Sequence, residues 1–183
     1  MSDTTILKRL LQPNVLIPLA EHYESKKVTL IEHQAQDSWV EIHNIPQDAM
    51  VIDLDRVFHN QNLFQGNNGE CKRADYVVIS EQAQKVLFIE MKRSNAPAMD
   101  IVKQLKGALC AFEYCQIIVR EFFQEADFLK NYQKRFISLR HTGGTKQKTE
   151  IERTAPLGTI HNNPEFPLRV SWAKVIQFNK IAG

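Results

Sequence analysis

Apolar and polar residues change rhythm several times along the chain, and each change marks an element. Two runs, Tyr76-Val77-Val78-Ile79 and Val86-Leu87-Phe88-Ile89, are apolar at every position rather than at alternate ones. A strand that is apolar on both faces belongs in the middle of a covered sheet. The polar stretch over 80–85 is short enough to join them as an antiparallel hairpin. Downstream, Ile101, Leu105, Ala108, Leu109, Phe112 and Val119 recur at helical spacing. They predict a long helix starting at Pro97, with one buried stripe, extending with a kink to about Leu129. Residues 134–140 read as the next strand. A helix between two buried strands predicts a crossover that leaves the strands parallel.

The flanks are less regular. Thr4 or Thr5 caps a first helix that runs to about Gln12 and stops at Pro13. A second helical stretch is expected over 14–25, interrupted at Pro18. Residues 28–33 and 39–43 alternate and read as a hairpin with one wet face, followed by a short strand over 50–54. Residues 65–69 form a turn-rich loop. The polar run 141–154 reads as a mobile loop, and Pro156, Pro164 and Pro167 keep the next stretch irregular. Strands over 168–172 and 175–178 close the chain. No internal repeat or linker interrupts this order. The prediction is a single α/β domain over 1–183, with a mixed central sheet flanked by helices, a core over about 14–140 and C-terminal strands and loop over about 141–183.

Composition narrows the classes. With 183 residues, 43% of them hydrophobic, the chain can bury one sizeable core. There are 23 lysines and arginines against 21 aspartates and glutamates, a net charge of +2, so any basic surface arises from placement and not from excess. The apolar runs are too short to cross a bilayer, and the first residues lack a secretory pattern. Cys71, Cys110 and Cys115 show neither zinc nor redox spacing; an odd number without a signal points to reduced thiols in a cytoplasm, with Cys110 and Cys115 packing in the core. The six histidines have no metal spacing and read as surface or core residues; His59 and His141 are those expected nearest a site.

The candidate chemistry sits at the ends of the two buried strands. Asp75 opens the first; Glu90-Met91-Lys92 closes the second. Buried charges are costly unless paired or holding a metal. In an antiparallel pair the first residue of one strand faces the last of its partner, and period-two alternation points Glu90 and Lys92 the same way. Two carboxylates, the Met91 backbone carbonyl and open positions for water suit Mg²⁺ or Mn²⁺. Lys92 beside such an ion can orient a water and meet charge developing on phosphorus.

Asp75 followed by Glu90-Met91-Lys92 resembles the PD-(D/E)XK nuclease superfamily, with Ala74 where the family usually has proline. The resemblance implies a restriction-endonuclease-like fold and a Mg²⁺- or Mn²⁺-dependent endonuclease acting on nucleic acid, DNA before RNA. It assigns Asp75, Glu90 and Lys92 as catalytic. Gln104-Leu105 resembles the glutamine motif of RecB-like members, with Ala108 where an aromatic is common, and Gln104 is then expected to hold a phosphate or nucleotide near the helix N-terminus. The family often adds an acid from its first core helix; Glu21 is expected there, with Glu24, Asp53 and Asp55 as rivals. Lys72 and Arg73 are candidate nucleic-acid contacts, though a short basic pair is more often a solvated face; Lys146 and Lys148, with Arg140 and Arg153, are candidates equally readable as a loop held open by charge. Specificity then comes from loops, a homodimer partner or an associated protein. The alternatives are a non-catalytic nucleic-acid- or protein-binding module on the same fold and a structural subunit.

Overall fold

The computed structural model describes residues 2–33, 35, 38–56, 60–93, 96–141, 150–152, 160–172 and 174–183. It is an α/β protein with two mixed β-sheets and three helices. Helix α1 spans Asp3–Leu10, capped by Ser2, whose Oγ accepts from the Thr5 N–H at 3.3 Å, one turn before the expected threonines.

The helix expected over 14–25 does not form. A 3₁₀ turn, Pro13–Val15, leads into two short strands, β1 (Leu16–Ile17) and β2 (Ala20–His22). Pro18 lacks an N–H and disfavours helical geometry in the residue before it, so this segment stays extended. A tight turn with Tyr23 at φ 54° follows, held by Ser25 Oγ donating to the His22 carbonyl at 2.9 Å. Strands β3 (Ser25–Ile31) and β4 (Trp39–Ile45) form the expected antiparallel hairpin, burying Val28, Leu30, Val40, Ile42 and Ile45.

Next come β5 (Met50–Asp53), β6 (Tyr76–Ser80) and β7 (Lys85–Lys92), an antiparallel meander. Helix α2 (Ala98–Ile118) continues as a π-turn over Val119–Phe123 and stops at Gln124, whose φ of 59° ends the helix short of Leu129. Strand β8 (Gln133–His141) returns parallel to β7. Glu150–Glu152 forms β9 inside the stretch expected to be loop, and β10 (Leu168–Trp172) lies parallel to β8. Strand β11 (Val175–Gln177) joins the other sheet beside β4, and Phe178–Ala182 forms a short α3 not anticipated from the pattern. The larger sheet has the order β1-β5-β6-β7-β8-β10-β9, the smaller β11-β4-β3-β2.

Alternation sorts the core into two layers. Ile52, Val77, Val86, Phe88 and Phe136 face α1 and α2, meeting Ile6, Leu7, Ile101, Leu105 and Phe112. Phe88 stacks on Phe136 at 4.7 Å and meets Phe112 edge-on at 5.6 Å, arrangements favoured by ring quadrupoles. On the opposite side, Val51, Tyr76, Val78, Leu87, Ile89 and Met91 pack onto the smaller sheet. One face of the central sheet is therefore covered by helices and the other mainly by a second sheet, where helices were expected to flank it. Cys110 is exposed and Cys115 only half-buried, so neither is the core residue expected. Among the described residues no helix is long and apolar enough to cross a membrane.

Candidate metal and phosphate site

The register of β6 on β7 pairs Tyr76 with Ile89, which sets Asp75 opposite Glu90. Val77 and Val86 face α2, so period-two alternation turns Asp75, Glu90 and Lys92 to that same face, at the sheet end where α2 begins. Asp75 Oδ2 accepts the Met91 N–H at 2.7 Å, and the Asp75 carbonyl accepts the Leu54 N–H at 2.9 Å. Lys92 Nζ lies 2.5 Å from Glu90 Oε1. Glu90 is 0% exposed, and neither of its oxygens has an aligned hydrogen-bond donor among the described residues, the lysine included. Lys92 pairs with one of the two oxygens by charge, and no other donor reaches either of them among the described residues.

The electrostatics follow from that burial. Glu90 is pushed well above the usual carboxylate range, first by desolvation and then by the Asp75 charge, against the pull of Lys92. Asp75 is raised to about 7, again mainly by desolvation, partly offset by the Met91 N–H and reinforced by Glu32. Burial alone lowers Lys92, but Glu90, Asp75 and Glu32 together outweigh it and raise its pKa. Two crowded carboxylates that resist ionising are a pair in want of a cation.

Glu32 is the residue that sequence reasoning passed over. It directly follows β3, is buried, and its charge acts on Asp75, Glu90 and Lys92 alike. The signal was present: Val28 and Leu30 are the inward positions of β3, and Glu32 is the next in that series. A carboxylate at an inward position is the anomaly worth following.

The expected third acid, Glu21, is corrected by the structure. It lies on β2 with a side chain 73% exposed and ion-paired to Lys26, and it is not among the charges felt by Asp75 or Glu90. Glu24 is exposed on the turn beside it. Asp53 points to the other face of the sheet, where its carboxylate meets His33 Nε2 at 3.2 Å and Arg56 Nε at 3.0 Å. Asp55 is near enough to act on Asp75 but bonds Arg73 Nη2 at 2.9 Å.

Arg73 also donates to the Leu54 and Asp55 carbonyls at 3.2 Å each, so it clamps the end of β5 and is not presented to a ligand. Lys72 pairs with Asp100 at 2.6 Å, in the first turn of α2. Gln104 is half-buried on α2, with no hydrogen bond among the described residues. Arg140 stands beside Lys92 in the β7–β8 register and donates to Ser171 Oγ at 3.0 Å. Lys146, Lys148, Arg153 and His59 lie outside the described residues.

No group of three or more His, Cys, Asp or Glu side chains arranged to hold a metal occurs among the described residues. The donor set is Asp75, one oxygen of which accepts the Met91 N–H, and Glu90, whose two oxygens lack an aligned donor. It fits a hard, hydrated ion such as Mg²⁺, which is commonly held by one or two carboxylates together with water and phosphate oxygens. Comparison with family models, with curated proteins and with solved structures finds no match to this chain.

Proposed function

We propose that the chain is a metal-dependent nuclease with a restriction-endonuclease-like core, hydrolysing phosphodiester bonds in nucleic acid, DNA before RNA. The observation that carries this reading is Glu90: fully buried, short of hydrogen bonds, and crowded by Asp75 on one side and Lys92 on the other. The order β5-β6-β7-α2-β8, a meander followed by a helical crossover to a parallel strand, supports the core assignment.

In this reading Asp75, Glu90 and the Met91 carbonyl hold Mg²⁺ or Mn²⁺. The ion supplies a lower water pKa and polarisation of the phosphoryl group. Lys92, anchored by Glu90, orients the attacking water and meets charge on the phosphoryl oxygens. Glu32 adds negative potential that strengthens cation binding and holds Lys92 protonated. Gln104 and the first turn of α2 receive the phosphate backbone. Sequence preference comes from loops, a second copy or an associated protein.

The test is incubation of the pure chain with single- and double-stranded DNA and RNA in Mg²⁺, Mn²⁺ or chelator. Cleavage is expected only with metal, falling at least a hundredfold in Asp75→Asn, Glu90→Gln and Lys92→Ala. Metal-dependent cleavage that survives Asp75→Ala and Lys92→Ala overturns the mechanism. Tight binding without turnover assigns the chain to the alternative, a non-catalytic nucleic-acid-binding module.

A further inference from the structure

Away from the carboxylates, a groove of about 760 Å³ runs between the outer face of α2 and the loop over residues 60–70. Its walls are apolar and aromatic, and they are exposed: Leu63 at 76%, Phe64 at 48% and Tyr114 at 55%. Lys103 and Lys106 stand on the same helix face, about two turns before Cys110 and Tyr114 respectively. Exposed apolar residues gathered along one groove, and not scattered singly, mark interaction sites. Rings beside lysines form the combination that stacks bases and tracks phosphates.

We propose that this groove binds unpaired nucleotides of single-stranded nucleic acid, with bases stacked on Phe64 and Tyr114 and phosphates met by Lys103 and Lys106. The proposal rests on the hydrolytic reading for its choice of nucleic acid, and it adds strandedness and a path to that reading.

Three features of the groove favour this occupant. The first is its nearness, through one stretch of chain, to the candidate site. Gly107 lies on its floor, and a Cβ there would come within 1.7 Å of the Lys72 carbonyl, so the chain leading to Asp75 runs directly beneath α2. Asp75 lies three positions after Lys72, at most about 11 Å of extended chain. A strand lying in the groove reaches the carboxylates within a few nucleotides.

The second is the way Lys103 is placed. Gly69, at φ +93°, leaves the space its stem fills, since a Cβ there would sit 2.7 Å from Lys103 Cδ. No carboxylate pairs with Lys103 among the described residues. Lys106 is paired with Glu165 at 2.6 Å, an exposed contact of little net strength for which a phosphate can compete.

The third is that the acid in the groove is turned to its own loop. Glu70 accepts the Gly66 and Asn68 N–H groups at 2.9 and 2.8 Å, bonds that keep it ionised while holding its oxygens against the loop backbone. An apolar protein segment would satisfy the rings and leave Lys103 without a counter-charge; a nucleotide strand satisfies both.

The experiment reads binding by the intact chain in chelator, where the proposed cleavage is silent. The probes are a 2-aminopurine-labelled deoxyoligonucleotide, its ribo counterpart and the deoxy duplex. Wild type is expected to bind single strands and quench 2-aminopurine. Phe64→Ala and Tyr114→Ala each weaken single-strand affinity about tenfold and reduce the quench, Tyr114→Trp restores both, and duplex affinity does not move. Lys103→Ala lowers the salt slope of log K by about one. The proposal is overturned if neither single strand binds, if both aromatic substitutions leave affinity unchanged, or if the chain instead self-associates in a way that Tyr114→Ala abolishes. Because binding is read without metal, loss of the hydrolytic reading leaves the stacking signal intact. Loss of the stacking signal equally leaves metal-dependent cleavage standing.

Discussion

Glu90 and Asp75 set the pH behaviour of the chain one residue at a time. Both are held above their ordinary carboxylate values by desolvation, Asp75 at about 7. In the unfolded chain an aspartate releases its proton near pH ~4. Between about pH 4 and 7 the folded state therefore retains a proton that the unfolded state has lost, and stability falls as pH rises through that window. Urea melts of the metal-free chain should show this decline, and Asp75→Asn should flatten it. Mg²⁺ competes with the same protons, so the stabilisation it gives should grow from pH 5 to pH 8. A metal effect independent of pH would mean that these carboxylates do not hold the ion. Glu32 and Glu21 offer a second comparison at this scale. Removing the buried charge in Glu32→Gln should cost about 10- to 100-fold in metal affinity or cleavage, the range seen when groups behind metal ligands are changed. Glu21→Gln, which breaks only an exposed pair with Lys26, should leave the rate unchanged. Parallel rate measurements on the two variants decide between them.

At the scale of elements, the site depends on how closely α2 approaches the segment before β6. Gly107 permits that approach: any side chain there meets the Lys72 backbone. Gly107→Ala should lower stability by about 1–3 kcal/mol, the usual cost of overpacking, and should also reduce cleavage, because the displaced segment carries Asp75. An alanine variant with wild-type melting and rate would show that the two segments separate freely. The elements that build this region were the ones legible in the sequence. Strands β6 and β7 are apolar on both faces, and α2 carries a long 3.6-residue stripe, so local pattern and tertiary burial agree. Asp75, Glu90 and Lys92 were legible for the same reason, as charges ending apolar strands. Residues 14–25 were not, because their apolar spacing is compatible with a helix while Pro18 forbids one. Helix α3 has only five residues, too few to show a period. Glu32 continues the apolar series of Val28 and Leu30, but its hairpin reads as half wet, and the series alone does not show that a second sheet buries its far end.

For the whole molecule, that second sheet is more than a cover. Tyr76 projects from β6 across the interlayer core, and its hydroxyl donates to the Ile31 carbonyl at 2.7 Å and accepts the Ile31 N–H at 3.2 Å. This pair of bonds ties the end of β3, and with it Glu32, to the strand that starts at Asp75. The two sheets therefore meet the candidate site from opposite sides, one supplying Asp75, Glu90 and Lys92 and the other the third carboxylate, Glu32. Tyr76→Phe keeps the ring and removes only the tether. It should cost about 1–2 kcal/mol in urea melts, as expected for lost hydrogen bonds at a part-buried site. Ile45→Val, buried at the other end of the β3–β4 hairpin, costs a comparable ~0.5–1.5 kcal/mol and serves as the control. If Glu32 acts through its placement, Tyr76→Phe lowers metal-dependent cleavage and metal affinity well below the control at matched stability. Equal rates in the two variants would separate the second sheet from the chemistry and reduce it to a lid on the core.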